Sequence, residues 1–595
     1  MLSNLRYLLG ELKNFNFASV LISFAGIPAK VLVSVSAIYV PKLVLDAIQN
    51  QAAPVEFLWI VVFTMLIIAV TSIIDLFSNN TVQHSTNSFV MTYMTQKWLN
   101  KVTDMDYDMF SSESGKQKAE KARVSMEGTA RAGVGSYFPR LVTLLTNLAG
   151  FVSYSVILFT LHPLIIPLLI VCYIISMLFT MRMEKKKQLM KEDMAKTNRR
   201  LNYMAYRTRG LQIGKDIRLY AMTDWLREMA NKAKNEKITL NKKSANWQFS
   251  LNILNGLLVF IRNGAAYAYL IYLILSAQLT IGEFALYFAA ISGLGEWLTQ
   301  LTANIGVLTE ANNYVTDFRD FMDIPDKMNK AAKVLPPSPE ETVDIRLENI
   351  SFSYDKTQGN VLENINLHIN PGEKIAIVGE NGAGKTTLIK LISGLIRADE
   401  GQVLINGSDV SKYARNDYYN IFSAVFQDSD LLPVSIADNI ALNVDGEKDL
   451  GRIEECIALA GLKDKIESLP QGANTNLVKQ ISENGTELSG GEKQKLLLAR
   501  ALYKKASIMI LDEPTAALDS IAENEIYLKF NDLVKNKTAL FISHRLSSTR
   551  FCDRIILISD ARIAEVGTHD ELIALNGKYA EIYGIQSQYY NKGVR

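Results

Sequence analysis

The stretch GENGAGKT at residues 379–386 decides the fold of the C-terminal half of the chain. Its glycines, lysine and threonine occupy the fixed places of the phosphate-loop pattern. An apolar run at 375–378 precedes it and a helix-forming segment at 387–392 follows it, which predicts a buried strand, a glycine loop and a helix. Glycines let backbone N–H groups approach phosphate oxygens, and the helix start adds partial positive charge. The sequence therefore predicts a site for nucleotide phosphates.

Each side chain of this loop has an expected role. Lys385 is predicted to reach the β- and γ-phosphates, and Thr386 to ligate Mg²⁺. The alternative is a chance glycine-rich turn, which the strand before the loop and the helix after it make improbable. The residues of this segment expected to bind nucleotide are Gly379, Asn381, Gly382, Gly384, Lys385, Thr386 and Thr387.

A second apolar run, residues 508–511, predicts a strand that ends in an acidic pair. Asp512 is expected to hold Mg²⁺ directly or through water, because carboxylates at strand ends are common ligands of this ion. Glu513 is expected to polarise an attacking water as a general base. An acidic pair that caps the next helix is the alternative, and the phosphate loop upstream favours the catalytic interpretation.

Composition separates the chain into two kinds of domain. Its 595 residues are too many for one domain, and 48% of them are hydrophobic, which indicates membrane spans. The net charge of +2 gives no indication of a nucleic-acid partner, and three widely spaced cysteines predict neither a disulfide framework nor a metal site. We expect a transmembrane domain at 1–322, a proline-containing linker at 323–341 and a soluble α/β domain at 342–595.

The N-terminal half predicts a bundle of six membrane-spanning helices. Each apolar stretch is near or above the roughly 20 residues needed to cross a bilayer. The long connectors carry many Lys and Arg residues and the short ones carry none, which places both termini and the long connectors in the cytoplasm. The long connectors are expected to extend the helices into the cytoplasm. The predicted spans are 17–47, 55–77, 138–160, 163–182, 249–276 and 283–308.

Four charged residues lie inside these apolar spans: Lys30, Asp75, Arg262 and Glu296. A charge in hydrocarbon is expensive, so such residues pair with one another or face a polar cavity. Lys30 and Asp75 are at similar distances from one short connector, and Arg262 and Glu296 from another. The sequence predicts two interhelical ion pairs, with a polar substrate cavity as the alternative.

A third motif, LSGGE at residues 488–492, completes the pattern of a known family. With the phosphate loop, the acidic pair and the six spans, the chain resembles a bacterial ABC exporter half-transporter over nearly its whole length. The resemblance implies that this motif contacts the γ-phosphate held by a second subunit. Its fifth place holds glutamate where glutamine is commoner, which leaves its effect on activity open. The motif residues expected to bind nucleotide are Ser489, Gly490, Gly491 and Glu492.

The resemblance assigns roles to further residues. Tyr354 is expected to stack on adenine, Gln427 to contact Mg²⁺ and water, and His544 to hold the γ-phosphate. Asp519 is expected to communicate across the dimer. The implied catalytic set is Glu513, His544, Lys385 and Gln427, and the implied metal ligands are Thr386, Gln427 and Asp512. Segments expected to contact or form the coupling helices are 106–110, 214–220, Glu483 and Gly485.

The implied function is ATP-driven export across a bacterial cytoplasmic membrane by a homodimer in contact with membrane lipid, with ATP and Mg²⁺ as cofactors. Peptide, drug and lipid remain open as substrates, and a lipid flippase or one half of a heterodimer are alternatives. A soluble cassette protein of translation or DNA repair conflicts with the six spans. A nucleotide-gated channel or regulator with little turnover conflicts with the complete catalytic set.

Overall fold

The computed structural model contains a helical N-terminal half and an α/β C-terminal half. It describes residues 1–127, 133–161, 211–276, 278–326, 334–339, 341–354, 359–443, 446–477, 485–514 and 537–591, with isolated positions between these ranges. Contacts divide the chain into two compact units, Met1–Thr103 with Lys118–Asp323, and Asp104–Gln117 with Ile324–Arg595. Residues 104–117, which the sequence assigns to the transmembrane domain, therefore belong with the C-terminal unit.

Long helices dominate the first half. A π-helical turn, Phe89–Met94, joins the helices Pro54–Ser88 and Thr95–Asp104, so that Pro54–Asp104 forms one helix of 51 residues. The described helices are α1 (Leu2–Gln49), α2 (Pro54–Ser88), α3 (Thr95–Asp104), α4 (Tyr107–Ser111), α5 (Glu113–Met126), α6 (Tyr137–Phe159), α7 (Leu211–Leu219), α8 (Thr223–Leu275) and α9 (Ile281–Met322).

Within the described residues, four helices are long and apolar enough to cross a membrane: Leu2–Gln49, Pro54–Asp104, Val134–Phe159 and Thr223–Leu275. They contain the first and second predicted spans and all but the last residue of the third and fifth. The sixth predicted span lies within α9, which is long but less apolar. The fourth, 163–182, falls mostly outside the described residues.

Glycines bring these helices close together and set their rotation. The Trp297 ring of α9 occupies the space that a Cβ on Gly150 of α6 would need. The nearest atom of the ring lies 2.5 Å from the position of that Cβ. In the same way, the Tyr154 ring of α6 lies 2.3 Å from a Cβ built on Gly293. The two rings also contact each other edge to face, with centroids 6.2 Å apart. This interlock of α6 with α9 is anchored in a buried cluster around Leu294.

The second unit is built on two sheets. Among the described residues, one has the order β2-β1-β4-β5 and the other the order β10-β9-β3-β8-β7-β6. The first sheet is antiparallel; in the second, β10 is antiparallel to β9 and the remaining pairs are parallel. The strands are β1 (Ile345–Phe352), β2 (Leu362–Ile369), β3 (Lys374–Gly379), β4 (Glu400–Ile405), β5 (Ser408–Asp409), β6 (Phe422–Val425), β7 (Ile508–Asp512), β8 (Thr538–Ile542), β9 (Arg554–Ser559) and β10 (Arg562–Gly567).

Apolar residues on both faces of the parallel strands form two cores. Ala376 and Val378 of β3 belong to one buried cluster, whereas Ile375 and Ile377 belong to the other. This period of two explains why the strand reads as a continuous apolar run, as is typical of parallel strands covered on both faces.

The surrounding helices are α10 (Lys385–Ile392), α11 (Arg415–Asn420), α12 (Ile436–Ala441), α13 (Leu450–Leu459), α14 (Lys463–Glu467), α15 (Gly490–Tyr503), α16 (His569–Leu575) and α17 (Lys578–Asn591).

Candidate nucleotide site

Four neighbouring parallel strands, β3, β8, β7 and β6, bring the predicted site residues to one edge of the sheet. The phosphate loop follows β3, His544 follows β8, the acidic pair ends β7, and Gln427 follows β6. Ligands of open α/β sheets bind outside the carboxyl ends of the strands, because loops and helix starts meet there. Residues far apart in sequence thus come together, and the predicted strands at 375–378 and 508–511 are confirmed.

The phosphate loop has the backbone that its glycines permit. Gly384 has φ +98°, a backbone conformation that strains larger residues. A Cβ there would also crowd the Val361 carbonyl oxygen, at 3.0 Å. The chain then enters α10 at Lys385, whose Nζ donates to the carbonyl oxygens of Gly379 at 2.9 Å and Glu380 at 2.8 Å. Burial lowers the pKa of the Lys385 ammonium. The lysine is therefore held over the loop, poised to exchange carbonyl partners for phosphate oxygens.

Thr386 and Asp512 form a pair suited to a divalent cation. The Thr386 hydroxyl donates to Asp512 Oδ2 at 3.0 Å. Asp512 is 2% exposed, and its other oxygen, Oδ1, has no hydrogen-bond partner among the described groups. Burial raises the pKa of this carboxyl, and the nearby Glu513 carboxylate adds to the rise. A buried carboxylate oxygen without a donor is costly, and a cation would offset that cost. These residues fit Mg²⁺.

Glu513 sits at the centre of the candidate catalytic group. His544 Nε2 is in close contact with Glu513 Oε1, and Gln427 Nε2 donates to Oε2 at 3.4 Å. Glu513 has φ +50°, in the left-handed region that costs a non-glycine residue energy. Its own N–H donates to the Ile542 carbonyl oxygen at 3.1 Å, which holds the strained position. The carboxylate is thus fixed from three directions.

These residues surround one cavity of about 930 Å³. Tyr354, 59% exposed, lines one side, and its hydroxyl is 3.3 Å from the hydroxyl of Thr387. Asp512 lies beneath this surface and does not line it. The predicted residues on the cavity wall are Tyr354, Gly379, Asn381, Gly382, Gly384, Lys385, Thr386, Thr387, Gln427, Glu513 and His544.

The signature motif lies elsewhere in the unit. Ser489 caps α15 in a capping box with Glu492, whose carboxylate accepts from the Ser489 backbone N–H at 2.8 Å. That hydrogen bond lowers the pKa of Glu492, and Lys465 pairs with the same carboxylate at 3.1 Å. Neither Ser489, Gly490, Gly491 nor Glu492, all of them described, lines the nucleotide cavity. Asp519 and Glu483 lie outside the described residues, and Gly485 is buried.

The C-terminal helix α17 contributes residues that the motifs do not predict. Gln586 donates to the His544 carbonyl oxygen at 2.8 Å and accepts from the Leu546 N–H at 3.0 Å. Ile582 lines the cavity beside it. The only sequence signal is a helix of mixed polarity that follows the last strand, with no motif. Gln586 fixes the loop that carries His544.

Of the two predicted ion pairs in the membrane helices, one is confirmed. Lys30 Nζ lies 3.1 Å from Asp75 Oδ2. The pair of Arg262 with Glu296 is wrong: both residues are described, yet Glu296 accepts from Gln300 Nε2 at 3.1 Å and Arg262 Nε donates to Asn263.

The reason for the error is helix rotation. The Arg262 guanidinium packs on Gly295, 2.3 Å from where a Cβ would be. The predicted depth is therefore right, but adjacent residues on a helix point about 100° apart. Glu296 consequently faces a polar cavity and does not face Arg262.

Both halves match known protein families. The sequence model described as "ABC transporter transmembrane region" matches residues 20–294, and that described as "ABC transporter" matches residues 362–516. The chain belongs to the ABC transporter family. This ABC transporter chain is a membrane protein, and its C-terminal unit is a nucleotide-binding domain. The resemblance to an ABC exporter half-transporter is confirmed, as is the fold class.

Individual relatives carry two kinds of name. An ATP-dependent lipid A-core flippase of Cupriavidus metallidurans is 39% identical over 245 residues, which is 41% of each chain. The subtilin transport ATP-binding protein SpaT of Bacillus subtilis is 28% identical over 448 residues, 73% of this chain and 70% of that protein. The match to the flippase thus spans less than half of its length.

A solved structure extends the comparison to the whole fold. A bacterial Atm1-family ABC exporter with ATP bound superposes with a TM-score of 0.78, covering 97% of this chain and 98% of that one. At 22% identity the likeness concerns the fold alone.

Proposed function

We propose that this chain is an ATP-driven exporter of the bacterial cytoplasmic membrane, with both termini in the cytoplasm, that works as a homodimer. The observation that carries the proposal is the meeting of Lys385, Asp512, Glu513 and His544 at one sheet edge, in a chain with long apolar helices. The domains are proposed as 1–322 and 342–595 around a linker, with residues 104–117 contacting the second.

In the proposed reaction, the Glu513 carboxylate accepts a proton from water while the water oxygen bonds to the γ-phosphorus and the bond to ADP breaks. Lys385 offsets phosphate charge, and Tyr354 supports adenine. His544 orients Glu513 and, with nucleotide bound, contacts the γ-phosphate. Mg²⁺, when bound by Thr386, Asp512 and Gln427, supplies positive charge that stabilises the charge on the phosphates.

Two copies are proposed because the signature residues lie away from the cavity of their own chain. Ser489 and the backbone N–H groups at the start of α15 would complete the site of the partner, since a helix start favours anions. Asp519 is proposed to communicate across this dimer. A heterodimer has no support from the site, because the catalytic set is complete in this one chain.

A complementation experiment tests the shared site. Lys385→Ala and Ser489→Arg should each abolish ATP hydrolysis by the full chain in lipid nanodiscs. In a mixed dimer, one site combines both defects and the other has neither, so purified mixed dimers should recover about half of the wild-type rate. If each chain used its own signature, no mixed dimer would hydrolyse ATP. Vesicle transport coupled to that hydrolysis would then test export itself.

The names of the relatives support two substrate classes. Those named as flippases favour a lipid, and the one named for subtilin favours a peptide. Lipid flipping is therefore kept as the second candidate activity of the same machinery, with the same nucleotide chemistry.

A further inference from the structure

A cavity of about 880 Å³ lies among α1, α2, α6 and α9 of the membrane unit. Its volume is typical of sites that bind small organic molecules, roughly 300–1,000 Å³. Its wall carries five amide side chains and six serine and threonine hydroxyls, together with the aromatic rings of Tyr154 and Trp297. The amides on the wall are Asn79, Gln83, Asn87, Asn147 and Gln300.

This wall suits peptide groups better than acyl chains. Among the described lining residues, the branched aliphatic side chains are Val82 and Val142. A hydrocarbon tail gains little where it displaces water from amides, because those amides lose hydrogen bonds. A peptide instead offers one N–H donor and one C=O acceptor per residue, which amide side chains match.

Asn147 gives a second, independent indication. It lines the cavity, is 2% exposed, and its Nδ2 donates to no group in the part of the chain that the structure describes. Buried donors normally have partners, and exceptions mark ligand or water positions. A carbonyl oxygen of a bound molecule would satisfy this donor.

The charged residues of the wall leave one position that suits a cationic group of a ligand. Lys30 and Asp75 neutralise each other at 3.1 Å. Among the described residues, Glu296 accepts from the neutral Gln300 at 3.1 Å and no cation pairs with it. The packing of the neighbouring Trp297 against Gly150 fixes the rotation of α9, so Glu296 faces the cavity. A carboxylate on a cavity wall without a counter-charge among the described residues favours a cationic ligand group, because a charge-assisted hydrogen bond is stronger than a neutral one.

Arg140 marks the other end of the site. It lines the cavity on α6, ten residues before Gly150, which is about 15 Å along the helix. Gly150 contacts Trp297, the residue after Glu296, so Glu296 lies at about the depth of Gly150. The charges of Arg140 and Glu296 are therefore about 15 Å apart along the helix. At about 3.3–3.6 Å per residue, four or five extended residues span it.

We propose that this cavity binds an extended peptide-like molecule of about five residues, with a cationic side chain beside Glu296. The inference rests on the proposed export function and names its substrate class. It favours peptide over lipid, and an anionic group of the ligand would lie toward Arg140.

Equilibrium binding to the ATP-free full chain in nanodiscs tests this, so that ATP hydrolysis is judged separately. The probes are three acetylated and amidated alanine pentapeptides with lysine, glutamine or glutamate at one end, because Glu296 lies at one end of the site. Wild-type protein should bind the lysine peptide at least about tenfold more tightly than the glutamate peptide. Glu296→Gln should reduce the preference to under about threefold, and Glu296→Lys should reverse it. Glu310→Gln, a matched carboxylate on the same helix outside the cavity, should keep the wild-type preference.

Three outcomes would overturn the proposal. The first is a lysine preference that survives in Glu296→Lys. The second is a preference lost equally in Glu310→Gln. The third is that none of the peptides binds, whereas a phosphorylated saccharolipid does. In each case Mg²⁺-dependent ATP hydrolysis could still be present. Conversely, peptide binding without any hydrolysis would contradict the proposed function and leave the binding site supported.

Discussion

The Arg415 guanidinium binds two aspartates that differ in exposure, which allows the energies of the two contacts to be compared. Its NH1 lies 3.1 Å from Asp106 Oδ1 and its NH2 lies 2.6 Å from Asp104 Oδ1. The Arg415 and Asp106 side chains are 7% and 3% exposed, whereas that of Asp104 is 53% exposed. Tyr107, next in the chain, packs on the same unit beneath Lys390. The contact fastens α4 to the nucleotide-binding unit.

The difference in burial predicts a difference in energy. Breaking a buried ion pair by removing one partner typically costs about 3–5 kcal/mol, since the remaining charge stays in a low-dielectric setting. An exposed pair is worth about 0–1 kcal/mol. For a domain of this size, 1 kcal/mol shifts the melting temperature by about 2–4 °C. Asp106→Asn should therefore lower it by about 6–20 °C, and Asp104→Asn by less than about 4 °C.

The assay is thermal unfolding of the full chain in nanodiscs, followed through the transition of the nucleotide-binding unit. Arg415→Met should lower the transition at least as much as Asp106→Asn. Adding Asp106→Asn to Arg415→Met should cost little more, because both changes remove one interaction. The two asparagine variants serve as mutual controls, since each removes one carboxylate from the same arginine. Equal shifts from them would refute the reasoning from burial.

Three further predictions concern the nucleotide site. Glu513→Gln should still bind MgATP but hydrolyse it about 10²–10⁴-fold more slowly, as expected for a lost general base; near-normal single-turnover rates would remove Glu513 from that role. Asp512→Asn should raise the melting temperature of the nucleotide-free chain, because it removes a buried charge whose Oδ1 has no hydrogen-bond partner among the described groups. It should also abolish the extra stabilisation that Mg²⁺ adds to that of ATP; a lowered nucleotide-free melting temperature would contradict this. Lys465→Met should reduce kcat/KM for ATP by at most about fivefold, since it leaves the Glu492 charge without its counter-ion beside an anion site. In a Glu492→Gln background the same change should have no effect, and equal effects in both backgrounds would show that the pair is irrelevant.

Local motifs predict the nucleotide site well because each one combines a strand, a turn and a helix start. The phosphate loop and the acidic pair follow strands at the predicted places, and their meeting follows from the carboxyl ends of parallel strands sharing an edge. The position of Gln586 is different. Its role depends on where α17 returns to the sheet, and no local pattern encodes that contact. Long-range packing of a motif-free helix is beyond sequence patterns.

The membrane charges show the same limit in another form. Distance from a turn predicts depth, because every helix rises by the same amount per residue. It placed Arg262 beside the correct turn of α9 but did not predict the face. Rotation depends on which side chains interlock, and here Trp297 and Gly150 decide it. The fifth place of the signature is similar, since only the structure shows that Glu492 is compensated by Lys465.

Covalent elements and polar contacts connect the end of one long helix to Glu513, the candidate catalytic carboxylate. The 51-residue helix that starts at Pro54 ends at Asp104, one of the two aspartates that Arg415 binds. Arg415 is the first residue of α11, which leads directly into β6, and β6 ends just before Gln427. Gln427 in turn donates to Glu513 at 3.4 Å. Every step is a covalent element or a polar contact, and we therefore expect a shift of the helix end to alter the position of Glu513. Because Arg415 joins the end of this helix to α11 and β6, its loss should uncouple ATP hydrolysis from substrate transport rather than abolish hydrolysis.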